Sequence, residues 1–310
     1  MILALLAVAL PGLYWDQGPE TAAVLQRAGI EQIFVPPALR QAWQGRPGID
    51  VQTADLEQAT KLAEPGVQFR MNRASATRSP WITANGWEIL RSPSALFHYE
   101  AKGGAAEVAA AEAFAHGARA LISTDEAGLE PLGRMLSFLR GLEQPELKPL
   151  ADIGVIDDGS VESGELMNML ARGNLLFRIV DAPDPKLKLN VKLGTPEYPA
   201  AQAAEPHVLA AKVRANLTDE KRSLRIYGSN VVVARAVGDA DRLRLHFLNY
   251  PGAARPVNGI RVRVLGRYSQ QKIAANGVEA PRLTDVRVSE DSTEFTLPEI
   301  KVYAVVDLYR

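Results

Sequence analysis

No cysteine occurs anywhere in the 310 residues. Disulfides, thiolate metal ligands and a cysteine nucleophile are therefore excluded. An excess of charge of either sign is also missing: 35 Lys and Arg stand against 36 Asp and Glu, a net of −1. Nucleic-acid partners usually leave a basic footprint, so none is expected. The apolar run MILALLAVAL over residues 1–10 is too short to cross a bilayer, and no membrane span is expected elsewhere. The sequence holds no HExxH, no GxSxG elbow, no P-loop and no GxGxxG in a strand–helix context. Its four histidines, His98, His116, His207 and His246, show no metal-ligand spacing. Neither a metal nor a cofactor is expected.

What is present is enough apolar composition, 47%, to bury a sizeable core in one large or two medium domains. Residues 1–10 have the look of a secretory h-region, with Ala7-Val8-Ala9 as a small-x-small cleavage site and no basic n-region before it. A signal-peptide remnant, and hence a secreted or periplasmic protein, is the expectation; the alternative is a buried first strand.

The most legible stretch runs from Ala151 to Pro183. The apolar run Ile153, Val155, Ile156 stops at Asp157-Asp158-Gly159-Ser160. Leu166, Met169 and Leu170 then recur at helical spacing up to Gly173-Asn174, residues that tolerate a C-cap, and Leu175 to Val180 is apolar again. This predicts a right-handed βαβ unit with parallel strands.

The same grammar precedes it. Strands are predicted at Gly12–Trp15, Ile30–Val35, Ile49–Thr53, Val67–Met71, Ala95–Tyr99 and Ala118–Thr124, with helices between them, including one over Leu56, Ala59 and Leu62 capped by Asp55. Residues 72–93, holding SPWITANGWEIL, lack a period. With the βαβ unit this makes eight strands alternating with helices, an α/β domain over 11–220 expected to close as a compact (β/α)8 TIM-like barrel. An open doubly wound sheet, or a barrel followed by a flavodoxin-like unit from Ala151, is the alternative. From Ser223 the period changes to two, as in Arg242 to Leu248 and Arg261 to Val264, with turns at Asn249-Tyr250-Pro251-Gly252 and Asn276-Gly277. A small antiparallel β-sandwich over 221–310 is expected.

A (β/α)8 barrel carries its chemistry at the carboxyl ends of its strands. The carboxylates there include Asp16, Glu100, Asp125 and Asp157, the candidate catalytic residues, while Asp55, Asp158 and Ser160 read equally well as helix caps. All four tryptophans lie in the first 87 residues. Aromatic faces beside carboxylates suit carbohydrate, whose C–H faces stack while its hydroxyls bond acids. Trp15, Trp87, Tyr99 and Asn85 are the candidate substrate-binding residues, and carbohydrate is the expected ligand.

LHFLNY (245–250), GIRVRVLG (259–266) and FTLPEIKVYAVVDL (295–308) resemble the C-terminal sandwich of secreted bacterial barrel glycosidases of the β-galactosidase type. DIGVIDD…ARGNLLFRIVDAP is similar to the glutamine-amidotransferase-like middle domain of some of those enzymes, without its cysteine. The resemblance implies a glycoside-hydrolase-like protein acting on carbohydrate through carboxylates at a barrel mouth; the alternative is a non-catalytic carbohydrate-binding or scaffold protein on a degenerate barrel. The family's acid after strand four is unmatched, since strand four here ends Phe69-Arg70-Met71-Asn72. The expected acid pair is therefore Asp125 with Asp157, from adjacent strands.

Overall fold

The computed structural model describes residues 10–68 and 80–310. The expected signal remnant lies outside the described residues except for Leu10, as do Phe69, Arg70, Met71 and Asn72 at the end of the expected fourth strand.

Six short strands build a wholly parallel sheet: β1 (Gly12–Tyr14), β2 (Gln32–Val35), β3 (Asp50–Thr53), β4 (Thr60–Leu62), β7 (Leu96–Glu100) and β8 (Arg119–Ser123), in the order β3-β2-β1-β8-β7-β4. The chain steps the same way along the sheet from β1 to β3 and from β4 to β8. Right-handed crossovers therefore put the connecting helices on one face, as in a barrel and unlike a doubly wound sheet. Pairing of β3 with β4 would close the ring in chain order. Among the described residues that pair is not made.

The closed eight-stranded barrel is thus corrected to a six-stranded, barrel-wound sheet with one open seam. Two local readings differ as well. The helix expected after Asp55 is instead a turn, in which Asp55 Oδ1 accepts from the Glu57 amide at 2.9 Å, followed by β4. Leu62 alone of its three apolar residues is buried, so a helix there would have had almost no apolar face to dock. The expected fourth strand begins as β5 (Gly66–Gln68), which pairs antiparallel with β6 (Trp81–Thr83) in a separate hairpin.

The helices of this half are α1 (Ala22–Arg27), α2 (Arg40–Trp43), α3 (Gly86–Arg91), α4 (Ala105–His116) and α5 (Glu126–Arg140). Alternate strand residues, Leu13, Ile33, Val35, Phe97, Tyr99 and Ile122, share one core with Leu25, Leu132 and Met135. Close approach is built in: a Cβ on Gly133 of α5 would sit 1.8 Å from the Ala28 carbonyl oxygen, so only glycine lets α5 meet the end of α1. α4 is buried from Ala106 to Ala115, which suits its alanine-rich sequence, because small side chains let both neighbouring layers approach a helix closely.

The βαβ unit forms as read, with β10 (Ile153–Ile156), α6 (Val161–Arg172) and β11 (Phe177–Val180), and Ser160 caps α6 by accepting from the Ser163 amide at 3.1 Å. It does not extend the six-stranded sheet. With β12 (Leu189–Lys192) it makes its own parallel sheet, β11-β10-β12, covered by α7 (Pro206–Leu217). Asn174, in the left-handed conformation at φ 52°, also pins this unit to its neighbour. Its Oδ1 accepts from the Ala234 amide at 2.7 Å and its Nδ2 donates to the Val232 carbonyl at 3.0 Å, standing in for a strand.

The remaining chain is antiparallel. One sheet joins β13 (Leu224–Tyr227), β16 (Arg261–Leu265), β19 (Ser292–Thr296) and β18 (Thr284–Val288). The other joins β17 (Gln270–Ala275), β20 (Tyr303–Tyr309), β15 (Arg242–Asn249) and β14 (Val232–Gly238), with β9 (Lys148–Pro149) at its edge. The two share a core including Leu245, Phe247, Val262, Phe295 and Val306. The outer face of the second sheet packs on α4 without an intervening linker: Val233, Leu248, Tyr303 and Val305 belong to the core of the six-stranded half.

Two buried glutamates of α4 sit at this junction. Glu112 accepts from the Asn85 amide (2.7 Å) and Nδ2 (2.9 Å), from Tyr99 (3.0 Å) and from Tyr250 (2.5 Å). Glu107 is buried beside Ala253 and Arg134, and burial pushes its carboxyl up to about 7. Glu112→Ala strands several buried donors and should cost roughly 3 kcal/mol or more, and Tyr250→Phe about 1–2 kcal/mol, both read from urea unfolding midpoints. Glu107, whose folded-state pKa is raised, adds stability that is complete below its ordinary value of 4.5 and is lost as pH rises through about 7. Unfolding free energy should carry that falling component, on the order of 3 kcal/mol at most, and Glu107→Gln should remove it; an unchanged pH slope in the variant would refute the assignment.

Candidate functional site

The carboxyl ends of β3, β2, β1, β8, β7 and β4 lie in sequence along one edge. Residues that alternate away from the helix-packed core, Tyr14, Phe34, His98, Leu121 and Ser123, form the face that a closed barrel would turn inward. Tyr14 meets His98 edge-on, with ring centroids 6.1 Å apart, and His98 Nε2 lies 2.8 Å from Ser123 Oγ. Burial raises the Tyr14 phenol, and the charges of Asp16 and Asp55, which follow β1 and β3, raise it further. Burial lowers His98, against the opposing pull of Glu100, and its imidazole is neutral near pH 7. At this strand end Tyr14 and Ser123 are half-buried and Asp16 and Asp55 exposed, with the buried His98 paired to Ser123 beneath them. That set can stack on and hydrogen-bond a polyhydroxylated ligand.

The expected catalytic residues are distributed otherwise. Asp125 is the N-cap of α5: Oδ1 accepts from Gly128 N at 3.0 Å and Gly103 N at 2.9 Å, tying two loops of the edge together. Asp157 follows β10, in the other parallel sheet, and Arg91 grips it bidentately at 2.7 and 2.9 Å. Burial pushes Asp157 up, but the bonds from Arg91 and Gly159 outweigh it and hold the carboxyl below the usual range. The expected pair across adjacent strands is therefore not assembled; the two belong to different sheets and share no partner. Glu100 is exposed and bonded to Lys61 at 2.8 Å, which lowers it. Asp16 is exposed beside Tyr14.

The expected binding residues divide in the same way. Trp15 is buried in the core with its indole N–H donated to Thr21 Oγ1 at 2.8 Å. Tyr99 and Asn85 are buried on Glu112. Trp87 is half-buried, with the Arg91 guanidinium 5.3 Å from its ring centroid. None of these four joins Tyr14 on the inner face. Tyr14, His98 and Ser123, which do share the inner face, are not among the expected site residues, although strand alternation, which sets Tyr14 opposite Leu13 and His98 opposite Tyr99, carries that signal. Among the described residues no cluster of histidines and carboxylates could hold a metal ion, and no helix is long and apolar enough to cross a membrane.

No protein-family model matches the chain, and no curated protein does. Solved structures do. An α-L-fucosidase isoenzyme 2 from Paenibacillus thiaminolyticus matches at TM-score 0.53 and 11% identity, over 94% of this chain and 80% of that one. A β-galactosidase from Bacillus circulans sp. alkalophilus matches at TM-score 0.38 and 10% identity, and one from Rahnella sp. R3 at 0.35 and 10%. Both are covered over 60% of their length and cover 96% of this chain. The likeness is one of fold: a glycosidase-like arrangement of parallel and antiparallel sheets.

Because Asp125 and Asp157 are held by structural partners, Asp125→Ala should lower stability by about 1 kcal/mol. Asp157→Ala, which strands Arg91, should cost about 1–3 kcal/mol. Chemical denaturation measures both, and unchanged midpoints would show the two carboxylates to be free of that work.

Proposed function

We propose that this is a glycoside-hydrolase-like protein that binds carbohydrate through the inner face of its parallel sheet and does not cleave it. One observation carries the reading: on the inner face Tyr14 packs edge-on against His98, which is paired with Ser123, and the charges of Asp16 and Asp55 act on its phenol, while Asp125 caps a helix and Asp157 and Glu100 are bonded to an arginine and a lysine. Glycoside hydrolysis needs two carboxyl groups facing one bond, about 5–5.5 Å apart for retention or 6.5–9.5 Å for inversion, one of them holding a proton. Asp157 and Glu100, both held below the usual range, are poor proton donors at neutral pH. The glycosidase-like fold supports a sugar ligand, and the antiparallel region is read as the appended sandwich of such proteins.

A panel of neutral oligosaccharides tested by affinity electrophoresis, alongside aryl-glycosides tested for turnover, decides the matter. Retardation by at least one oligosaccharide, lost in Tyr14→Ala by roughly 10-fold or more in affinity, with no aryl-glycoside turnover, is the expected result. Turnover that disappears in Asp16→Asn would overturn the non-catalytic reading, and binding unaffected by Tyr14→Ala would move the site elsewhere.

A further inference from the structure

A concave site lies where the three parts of the molecule meet. A cleft of about 430 Å³ opens between α3, the end of α4, β9, β11 and β14. Its walls are largely apolar, with Trp87, Leu90, Leu176 and Phe177 among them, and its lining includes no aspartate or glutamate. Arg235, on the face of β14 turned toward the six-stranded half, lines it together with Arg178 and Lys148.

Arg235 is the unusual member. Its Nη1 is shut off from solvent and has no hydrogen-bond partner, and among the described residues its guanidinium makes no ion pair. Burial pushes it down to about 10, with the Tyr303 phenol opposing. Its neighbours cannot neutralise it. His116 is driven down to about 3 by burial and by Arg235 itself, so it is uncharged, and its Nδ1 donates to the Glu112 carbonyl at 2.9 Å. His246 is likewise held well below its ordinary value by burial and by Arg235. Arg244, close by on β15, has Asp307 for a counter-ion at 2.8 Å; Arg178 has Asp184. A guanidinium stays charged in proteins; Arg235 is half-buried, and closing its Nη1 to water with no anion beside it is costly. Arg235 lines this cleft and also a smaller cavity beside Phe114 and His246, so the cleft is the larger of two openings beside it.

The apolar walls narrow the choice. A neutral sugar needs a polar partner for most of its hydroxyls, and these walls offer few. Inorganic phosphate would leave the apolar surface unused. A pocket of this size with one unpaired fork-shaped cation and a tryptophan in its wall fits a small molecule with a flat apolar body and a carboxylate, the guanidinium taking the carboxylate oxygens side by side. We propose that this junction cleft is a binding site for an aryl carboxylate, with Arg235 as its anchor. The site shares no residue with the carbohydrate-binding face, and the two readings stand or fall separately.

Titration calorimetry on the full chain tests it, with phenylacetate and indole-3-acetate as probes. Phenylacetamide serves as the uncharged isostere, and inorganic phosphate and glucuronate as the alternative anions. The expected result is one-to-one binding of an aryl carboxylate, with the amide, phosphate and glucuronate each roughly 10-fold weaker or worse. Arg235→Gln should lose the aryl carboxylate by a similar factor while melting no lower than the wild type, since it removes an unpaired, half-buried charge. Ala171→Phe, which fills the cleft from α6 and leaves Arg235 in place, should lose it as well. Neutral oligosaccharide retardation should be unchanged in both. Failure of both aryl carboxylates to bind, or equal binding by Arg235→Gln, would overturn the proposal. Phosphate or glucuronate binding as tightly would overturn the assignment to an aryl carboxylate.

Discussion

Glu112 has its carboxylate shut away from water in the middle of α4, and donors from three separate parts of the chain converge on it. Asn85 comes from the segment leading into α3, Tyr99 from the centre of the parallel sheet, and Tyr250 from the turn after β15. Burial raises the glutamate and the hydrogen bonds pull it back, while both phenols are pushed well above their ordinary value by burial and by Glu112, so they stay protonated and keep donating. A buried carboxylate of this kind is tolerated only when its oxygens are saturated. The relative placement of α3, the six-stranded sheet and the antiparallel region is therefore coupled: displacing any one of them leaves polar groups unpaired in the interior.

Around that point the interface repeats the same logic with other residues. His246 and Tyr303 pair at 2.5 Å and stack, and Phe114 and Phe138 pack edge-on against Tyr303. Arg244 and Arg242 share Asp307, and Arg244 also reaches the Glu143 carbonyl at 2.5 Å beyond the end of α5. On the opposite side Asp152 accepts from the Ser223 amide and hydroxyl, joining the three-stranded sheet to the start of the antiparallel region. Arg235, on the same interface, makes no ion pair among the described residues, and its Nη1 has no hydrogen-bond partner.

The open seam leaves part of the inner face uncovered among the described residues. A parallel sheet normally buries both faces, and in a closed barrel the inner face is filled by side chains. With six short strands and no pairing of β3 with β4 among the described residues, the inner face carries half-exposed Tyr14, Phe34 and Ser123. A surface so placed, at the carboxyl ends of parallel strands, is available to a ligand without a deep active-site pit.

Much of the local structure followed from sequence alone. Period-two alternation after Ser223, the Ser160 cap and the apolar runs at Ile153–Ile156 and Phe177–Val180 are set by contacts within a few residues, so they are legible along the chain. The winding of the parallel strands followed from crossover handedness. Strand partnership did not. Whether β10 sits beside β8 or starts another sheet depends on what its neighbours bury, and the Asp152–Ser223 and Asn174–Ala234 bonds that hold it apart span 71 and 60 residues. The same distinction governs the site. An aspartate after a strand reads identically in sequence whether it faces a substrate or, like Asp157, lies in the fork of an arginine 66 residues away. Burial and counter-charge are properties of three dimensions, and they decide which carboxylates are free to do chemistry.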